Sequence, residues 1–359
     1  MAGNTFGTVF KITTFGETHG KSVGCIIDGC PSGLALSESD IQKDLDRRRP
    51  GQSTITTQRQ EDDHVEIHSG VFEGRTTGTP IMLLVRNTDA KSKDYEHLKD
   101  VFRPSHADYT YLKKYGIRDY RGGGRASARE TLSRVAAGAI ARKYLEEKAK
   151  IEIVAFVEQI KNIGSNVNIE TVTQKEVDST VVRCPDLVAA QKMMHIIKTV
   201  RDEGDSVGGV IRCVIRNTPI GLGEPVFNKL SAQLGYAMLS IPAVKGFEIG
   251  LGFAGAEKKG SELNDPFIIT NGVIKTATNN SGGVQGGISN GETIHFRVAF
   301  KPTSTIQKQQ ETVTTSGQQV QLSASGRHDP CVLPRAVPIV EAMVAITLMD
   351  YYLLQKIYG

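Results

Sequence analysis

The amino-acid sequence predicts a mixed α+β fold, formed by a single domain that spans residues 1–359. Strand-like and helix-like segments do not alternate as regular βαβ units, which favours α+β over a doubly wound sheet. No linker divides the chain convincingly, and the sequence contains no internal repeat. Hydrophobic residues make up 39% of the chain and charged residues 23%, as in a globular protein with a sizeable buried core.

Strands are predicted where short apolar runs occur, several of them alternating apolar and polar residues. These runs cover 24–28, 80–86, 151–160, 209–216, 266–276 and 293–300. In the fifth run, Asn271-Gly272 stands between apolar pairs, which is typical of a tight hairpin turn. The polar run at 307–326 is predicted to be a long surface loop.

Helices are predicted at 37–48, 126–148, 186–203, 225–239 and 334–356. The capping pattern from Ser37 to Asp40 opens the first. The second carries apolar residues on one face at helical spacing, and its small step from Ala136 to Ala139 would let another helix or a sheet approach closely.

Several features favour a cytoplasmic protein. Residues 1–17 lack the basic and long apolar regions of a signal peptide. The five cysteines are scattered without a CxxC pair, which indicates neither a disulfide framework nor a zinc site. The apolar stretch at 337–354 carries Glu341 and Asp350, so it is interpreted as a buried helix rather than a membrane span.

The net charge of +4 is too small and too dispersed for a dedicated nucleic-acid binder. Local basic clusters suit a small anionic ligand instead. In DRRRPGQ (46–52), Arg47, Arg48 and Arg49 precede Pro50. They either complement the dipole at a helix end or bind a carboxylate or phosphate.

Two histidines stand in predicted loops. His19 lies in GETHG (16–20), and His106 follows Arg103 by three residues in FRPSHADYTY (102–111). An imidazole can move protons near neutral pH. A purely structural histidine in a turn is the alternative for both positions.

The stretch YRGGGRASARE (120–130) predicts an anion site at the start of a helix. Its glycines free the backbone N–H groups, Ser127 can cap the helix, and Arg125 and Arg129 add positive charge. Neither a P-loop nor a dinucleotide-binding fingerprint is present. Later in the chain, KPTST (301–305), GRHDP (326–330) and the glycine-rich segment 279–291 add further candidates, and no metal-ligand spacing occurs.

These clusters occur in one order along the chain: GETHG, DRRRPG, FRPSHADYTY, YRGGGRASARET, GEPVF, VKGFEIG, GGISNGE, KPTST and GRHDPC. In this order they resemble the motifs of the chorismate synthase family, over almost the whole chain. The resemblance implies a β-α-β sandwich, with central helices between antiparallel sheets, assembled as a homotetramer. It also implies 1,4-anti elimination of phosphate from 5-enolpyruvylshikimate 3-phosphate, which requires reduced FMN without net redox change. A nucleic-acid or membrane partner is not expected.

The resemblance also implies residue roles. His19 would protonate the leaving phosphate, His106 would protonate the reduced flavin, and Asp329 would assist deprotonation of the substrate. The residues implied to bind the substrate are His19, Arg48, Arg103, Ser127, Arg129 and Arg327. Those implied to bind FMN are Arg48, Arg125, Ala126, Ser127, Pro242, Ala243, Gly286, Lys301, Pro302, Thr303, Ser304, Thr305 and Arg327. No metal is implied.

Two positions depart from the family pattern. Thr54 stands where bacterial members often carry an arginine assigned to the reduced nicotinamide cofactor, so NADPH and an external reductant both stay open as the source of electrons. Ala126 stands where serine is frequent in the flavin loop. A contact made through the backbone would survive this change, whereas a contact through a hydroxyl would not.

The sequence disfavours two other function classes. An ATP-dependent small-molecule kinase would use the glycine-rich loop, but the sequence lacks a Walker lysine and an aspartate-rich magnesium site. An RNA-binding protein would use the arginine clusters with Tyr109, Tyr111, Tyr115 and Tyr120. The small net charge and the absence of RNA-binding signatures disfavour that reading.

Overall fold

A computed structural model describes residues 3–52, 55, 61–89, 92–324 and 329–358. The α-helices in this part of the chain are α1 (Glu38–Arg48), α2 (Asp108–Tyr115), α3 (Thr131–Ala149), α4 (Gln174–Asp178), α5 (Leu187–Asp202), α6 (Leu230–Leu239), α7 (Gly260–Leu263) and α8 (Leu333–Tyr358). Short 3-10 helices cover Ser92–Leu98, Gly124–Ala126, Ala128–Glu130 and Gly252–Glu257.

The strands form two main antiparallel sheets. The first sheet has the order β1 (Thr5–Phe6), β2 (Lys11–Gly16), β3 (Ser22–Asp28), β7 (Ile81–Arg86), β4 (Val65–Ile67). The second has the order β11 (Val244–Ile249), β16 (Ile294–Phe300), β10 (Gly209–Arg216), β8 (Glu152–Ile160), β9 (Ile163–Gly164). Small hairpins pair β5 (Val71–Phe72) with β6 (Arg75–Thr76), β12 (Phe267–Thr270) with β13 (Val273–Thr276), β14 (Val284–Gln285) with β15 (Ile288–Ser289), and β17 (Gln310–Val313) with β18 (Gln319–Leu322).

Helices α3 and α8 form the layer between the two sheets. Helix α3 packs on β2 and β3 of the first sheet and along α8, and α8 packs on β8 and β10 of the second. The buried apolar side chains of both sheets and both helices join in one continuous core. The predicted sandwich with central helices is therefore confirmed. That residues 1–359 form one domain stays a prediction, which the continuous core supports.

The two central helices touch where neither has a large side chain. A Cβ atom on Gly138 would lie 2.4 Å from the Cβ of Ala342 and 2.5 Å from its Cα, far inside van der Waals contact. Only glycine at position 138 allows the two helices to lie this close. The small residues from Ala136 to Ala139 predicted such a close approach for the second helix. The close approach lets the backbones pack directly and leaves no cavity between them.

Polar groups within the apolar helix α8 each have a structural partner. Glu341 lies 2.5 Å from Arg47 Nη1 and accepts a hydrogen bond of 3.0 Å from the backbone N–H of Ala155. Asp350 accepts hydrogen bonds from the backbone N–H groups of residues 8–10, at 2.6 to 2.9 Å. The helix is long and apolar enough to cross a membrane, but 89% of its most apolar window is buried inside the protein, as predicted for a core helix.

Most predicted elements are confirmed, with shifts at three places. All six strand-like runs contain a strand, and Asn271 and Gly272 form the turn between β12 and β13 with positive φ angles of 52° and 78°. Helix α3 begins at Thr131, not at 126, because short 3-10 turns precede it. Helix α6 begins at Leu230, not at 225. The predicted loop at 307–326 contains the hairpin β17–β18, because its sparse apolar residues concealed a strand pattern.

Replacing Gly138 by alanine should destabilise the protein by about 1–3 kcal/mol, because the added methyl group forces α3 and α8 apart. Urea unfolding would measure the change. Gly260→Ala in α7 is the matched control, since a Cβ there meets nothing within 4 Å. Equal free energies of unfolding for the two variants would contradict the close helix contact.

Candidate active site

A cavity of about 370 Å³ opens where the central helices begin. The residues around it come from segments far apart in the sequence: Thr18, His19, Arg48, Pro50, Tyr95, Arg103, 105–107, Gly122, 126–129, Thr131, 241–243, Phe300, Lys301, 303–305, Asp329, Val332, Arg335, Ala336 and Ile339. The first residue of α3 and the first turns of α8 both lie at this wall. The N-terminal end of a helix carries a partial positive charge, so two such ends favour an anionic ligand.

The glycine loop packs directly against both histidines. A Cβ on Gly122 would lie 2.6 Å from His19 Cδ2, and one on Gly123 would lie 3.1 Å from His106 Cε1. Both glycines also have positive φ angles, 67° and 90°. The sequence interpretation assigned these glycines to backbone contact with an anion. The structure shows a further reason for them, which is room for two imidazole rings.

The two histidine loops are tied to the glycine loop and its neighbours. Thr18 Oγ1 donates a hydrogen bond of 3.0 Å to the carbonyl of Gly124, which fixes the turn that carries His19. The His19 ring packs edge-on against Tyr95, with ring centroids 5.0 Å apart. His106 Nδ1 donates to Asp108 Oδ1 at 3.1 Å. Burial lowers the pKa of His106, while its hydrogen bond to Asp108 opposes that effect, so the ring is neutral near pH 7 in the free protein.

Two arginines at the floor of the cavity share one carboxylate. Arg48 Nη1 lies 3.0 Å from Asp63 Oδ2, and Arg129 Nη1 lies 2.7 Å from Asp63 Oδ1. Arg48 is only 1% exposed. Burial and the nearby Arg335 lower the pKa of Arg48 to about 9, which still leaves it charged at pH 7. Asp63 therefore offsets part of the repulsion between two buried cations and sets where their guanidinium groups point.

Asp329, within the predicted GRHDP motif, takes part in a second ion pair at the cavity wall. The Asp329 carboxylate pairs with Arg335 Nη1, and its backbone carbonyl accepts a hydrogen bond of 3.1 Å from Thr303 Oγ1. Arg335 also donates to the carbonyl of Arg48 at 3.2 Å. Lys301 completes the basic wall, and burial together with Lys245 lowers its pKa.

Most of the predicted site residues line this one cavity: His19, Arg48, Arg103, His106, Ala126, Ser127, Arg129, Pro242, Ala243, Lys301, Thr303, Ser304, Thr305 and Asp329. Ser127 Oγ also accepts a hydrogen bond of 3.3 Å from the backbone N–H of Arg129, as predicted for a cap. However, the residue it caps starts a 3-10 turn rather than α3 itself.

Three predicted residues do not line the cavity. The Arg125 guanidinium points into the first sheet, where it donates to Thr14 Oγ1 at 2.7 Å and to the carbonyl of Gly16 at 3.1 Å. Gly286 lies in the turn between β14 and β15, and Pro302 is absent from the lining although both its neighbours belong to it. Arg327 and Thr54 lie outside the described residues.

Sequence reasoning missed Tyr95, Arg335, Asp63 and Asp108. One of them left a signal: Arg335 lies in the first turn of α8, where a cation is disfavoured by the helix dipole, so it needs a carboxylate or another anion close by. Asp63 and Asp108 could be found only from the fold, because nothing in their local sequence marks them as partners of arginine.

Among the described residues, no group of three or more His, Cys, Asp or Glu side chains is arranged to hold a metal ion. The five cysteines are buried and unpaired. The charged and imidazole side chains that line the cavity are His19, Arg48, Arg103, His106, Arg129, Lys301, Asp329 and Arg335.

Comparisons with known proteins agree on one family. The family model described as chorismate synthase matches residues 10–353. The chain is 63% identical to a chorismate synthase of Crocosphaera subtropica over 352 residues, 98% of this chain and 97% of the relative. It is 60% identical to that of Synechococcus elongatus over 355 residues, 99% of this chain and 98% of the relative.

A solved structure titled as a crystal structure of chorismate synthase superposes with a TM-score of 0.78 at 33% identity, covering 99% of this chain and 94% of that chain. Sequence and fold thus agree over nearly the full length. The chain belongs to the chorismate synthase family.

Proposed function

We propose that the cavity binds reduced FMN together with 5-enolpyruvylshikimate 3-phosphate and eliminates phosphate from it to give chorismate. The observation that carries this proposal is that His19, His106 and Asp329 share one cavity wall with Arg48, Arg103, Arg129, Arg335 and Lys301. Proton-transfer groups and cations in one enclosed space suit the removal of a phosphate from a multiply charged substrate.

The wall of the cavity fits a flavin. Ile241, Pro242, Val332, Ala336 and Ile339 give it an apolar side that suits a planar ring system. The hydroxyl-rich turn from Thr303 to Thr305 and Lys301 offer polar contacts to a phosphate or ribityl chain. When bound, reduced flavin supplies the electron density that assists loss of the substrate proton and phosphate.

The arginines hold the substrate anions in place before any bond breaks. Because Asp63 and Asp108 orient Arg48, Arg103 and Arg129, these guanidinium groups need little rearrangement when an anion arrives. Charge placed in advance in a cavity away from water stabilises developing negative charge more than solvent does. The departing phosphate gains negative charge, so these cations favour its departure.

The two histidines have separate proton roles. His19 donates a proton to the departing phosphate, and His106 would hold a proton toward the reduced cofactor when that is bound. Asp329, at the same wall, accepts the proton that leaves the substrate ring. Its ion pair with Arg335 fixes the position of the carboxylate at the cavity wall.

Assembly as a homotetramer, a cytoplasmic location and NADPH as a reductant belong to the same proposal. They follow from the family resemblance. Anaerobic mixing of the protein with FMN and NADPH would test the last of these, since bleaching of the flavin absorbance would show that the protein reduces its own cofactor.

Phosphate release from 5-enolpyruvylshikimate 3-phosphate should require both the protein and reduced FMN. A phosphate assay under anaerobic conditions, with oxidised FMN and with no flavin as the two controls, measures this directly. Release of phosphate without flavin would overturn the proposed function.

His106→Ala should lower turnover by roughly 10²-fold, because a positioned proton donor contributes about that much. Binding of oxidised FMN, followed by fluorescence quenching, should stay close to that of the unchanged protein. Turnover near the unchanged value would remove His106 from the proposed mechanism.

Gly122→Ala should lower turnover by about tenfold or more, because the new methyl group displaces the His19 ring from its place beside the phosphate. Gly116→Ala is the matched control. Gly116 has a similar positive φ of 73°, but a Cβ there meets nothing within 4 Å. If both variants lose the same activity, backbone strain alone explains the loss and the contact with His19 is unimportant.

A further inference from the structure

Asp108 is a buried carboxylate behind the cavity wall, and its contact with His106 has no part in the steps above. It is the first residue of α2 and is 4% exposed. Its Oδ2 accepts hydrogen bonds from the backbone N–H and Nε of Arg103, at 3.1 and 2.8 Å. Its Oδ1 faces Arg103 Nη2 at 2.9 Å, His106 Nδ1 at 3.1 Å and Arg118 Nη1 at 2.9 Å.

The contact between Asp108 and His106 decides which ring nitrogen carries the proton. An ionised carboxylate can only accept hydrogen bonds, so Nδ1 of the neutral ring must be the protonated nitrogen. The opposite edge of the ring, with Cε1 and Nε2, faces Gly123, whose added Cβ would lie 3.1 and 3.3 Å from these atoms. His106 lines the cavity, whereas Asp108, the partner of Nδ1, does not, so Nε2 is the ring nitrogen available to a ligand.

Arg118 fixes the carboxylate from behind. Its Nη2 donates to the carbonyls of Leu98 and Lys99 at 2.7 Å and of Val101 at 3.1 Å. Its guanidinium lies over the Phe102 ring, 5.6 Å from the centroid. Because these partners leave Arg118 little freedom, the position of Asp108 is set on both sides, by Arg103 and by Arg118.

The charges around Asp108 keep it ionised. Burial raises the pKa of Asp108, but hydrogen bonds from Arg103 and His106 outweigh that effect and hold this pKa well below its usual range. The charged groups facing His106 are Asp108, Arg103 and Lys301, of which the carboxylate alone favours a protonated ring. Without it, the two cations and the burial would all oppose protonation of His106.

We propose that Asp108, held by Arg118, is a positioning residue that keeps His106 in the Nδ1–H form and allows it to take up a second proton at Nε2. This inference rests on the proposed role of His106 as a proton donor. Neither Asp108 nor Arg118 lines the cavity, so both act through His106 and Arg103.

The proton balance is simple. When the anionic ligands occupy the cavity, neutral His106 takes a proton from a hydronium ion of the solvent at Nε2, which leaves water, and becomes an imidazolium that Asp108 stabilises through Nδ1–H. The Nε2–H bond then breaks as the proton passes to the ligand, and the electron pair stays on Nε2. His106 returns to its starting form, and no electrons are transferred to or from the protein.

The first test needs no substrate. Deuterated protein with labelled histidine side chains, compared with His106→Ala to assign the resonance, gives the tautomer and pKa of His106 by NMR. We expect the neutral ring to carry its proton on Nδ1, and Asp108→Asn to lower its pKa by about one unit, since a neighbouring opposite charge is removed. An Nε2–H tautomer in the unchanged protein would overturn the inference, even if the variant failed to fold.

The second test is kinetic. Asp108→Asn should lower kcat by about tenfold or more and move the alkaline limb of the kcat–pH profile to lower pH, because His106 loses its proton earlier. In the His106→Ala background the same substitution should lower kcat clearly less, since residues acting through one another are not additive and only the effect through Arg103 remains. An equal loss in both backgrounds would assign Asp108 a role independent of His106.

A matched control separates these effects from loss of an ordinary ion pair. Glu152 pairs with Arg216 at 2.8 Å, and Arg216 also donates to the carbonyls of Ile169 and Val172. These contacts resemble those of Asp108 and Arg118, although Glu152 is more exposed, and neither Glu152 nor Arg216 lines the cavity. Glu152→Gln should leave the pH profile unchanged.

If His106→Ala itself keeps normal turnover, the proposed function of His106 fails, while the NMR result still decides whether Asp108 sets the tautomer and pKa of His106.

Discussion

The contact between Gly138 of α3 and Ala342 of α8 is the constraint on which the rest of the structure depends. The helices run in the same direction, because their contacts advance together from Gly138 and Ala342 to Lys148 and Tyr352, and the first turn of each lies at the cavity. Their N-terminal ends therefore meet at one place, between two sheets that cover the remaining faces. The cavity and its preference for anions follow from that arrangement before any individual side chain is considered.

Buried carboxylates behind the cavity wall allow several arginine side chains to lie close together in it. Asp63 holds Arg48 and Arg129, Asp108 holds Arg103, and each of these carboxylates is itself buried. Buried arginines without partners would cost several kcal/mol each. With partners, they stay charged and point in fixed directions. The inner surface is thus positive while the layer behind it is negative, which favours binding of an anion without destabilising the free protein.

Local patterns predicted what depends on local physics. The strands, the turn at Asn271 and the core helix α8 were visible because alternation, turn residues and apolar content act within a few positions. The start of α3 was not, because the cap at Ser127 opens a 3-10 turn equally well. The motif resemblance predicted most cavity residues, but not the direction of the Arg125 side chain or the partnership of Asp63 with Arg129, which are 66 positions apart and meet only in the folded chain.

The three hydrogen bonds from residues 8–10 to Asp350 join segments about 340 positions apart. During synthesis on a ribosome, the first strands emerge long before the helix that supplies this carboxylate and covers the core face of the second sheet. Native closure of the core must therefore wait until almost the whole chain has been made. Such long-range pairing slows folding and leaves apolar surface exposed meanwhile, so chaperones that shield nascent chains have a long interval in which to bind this one.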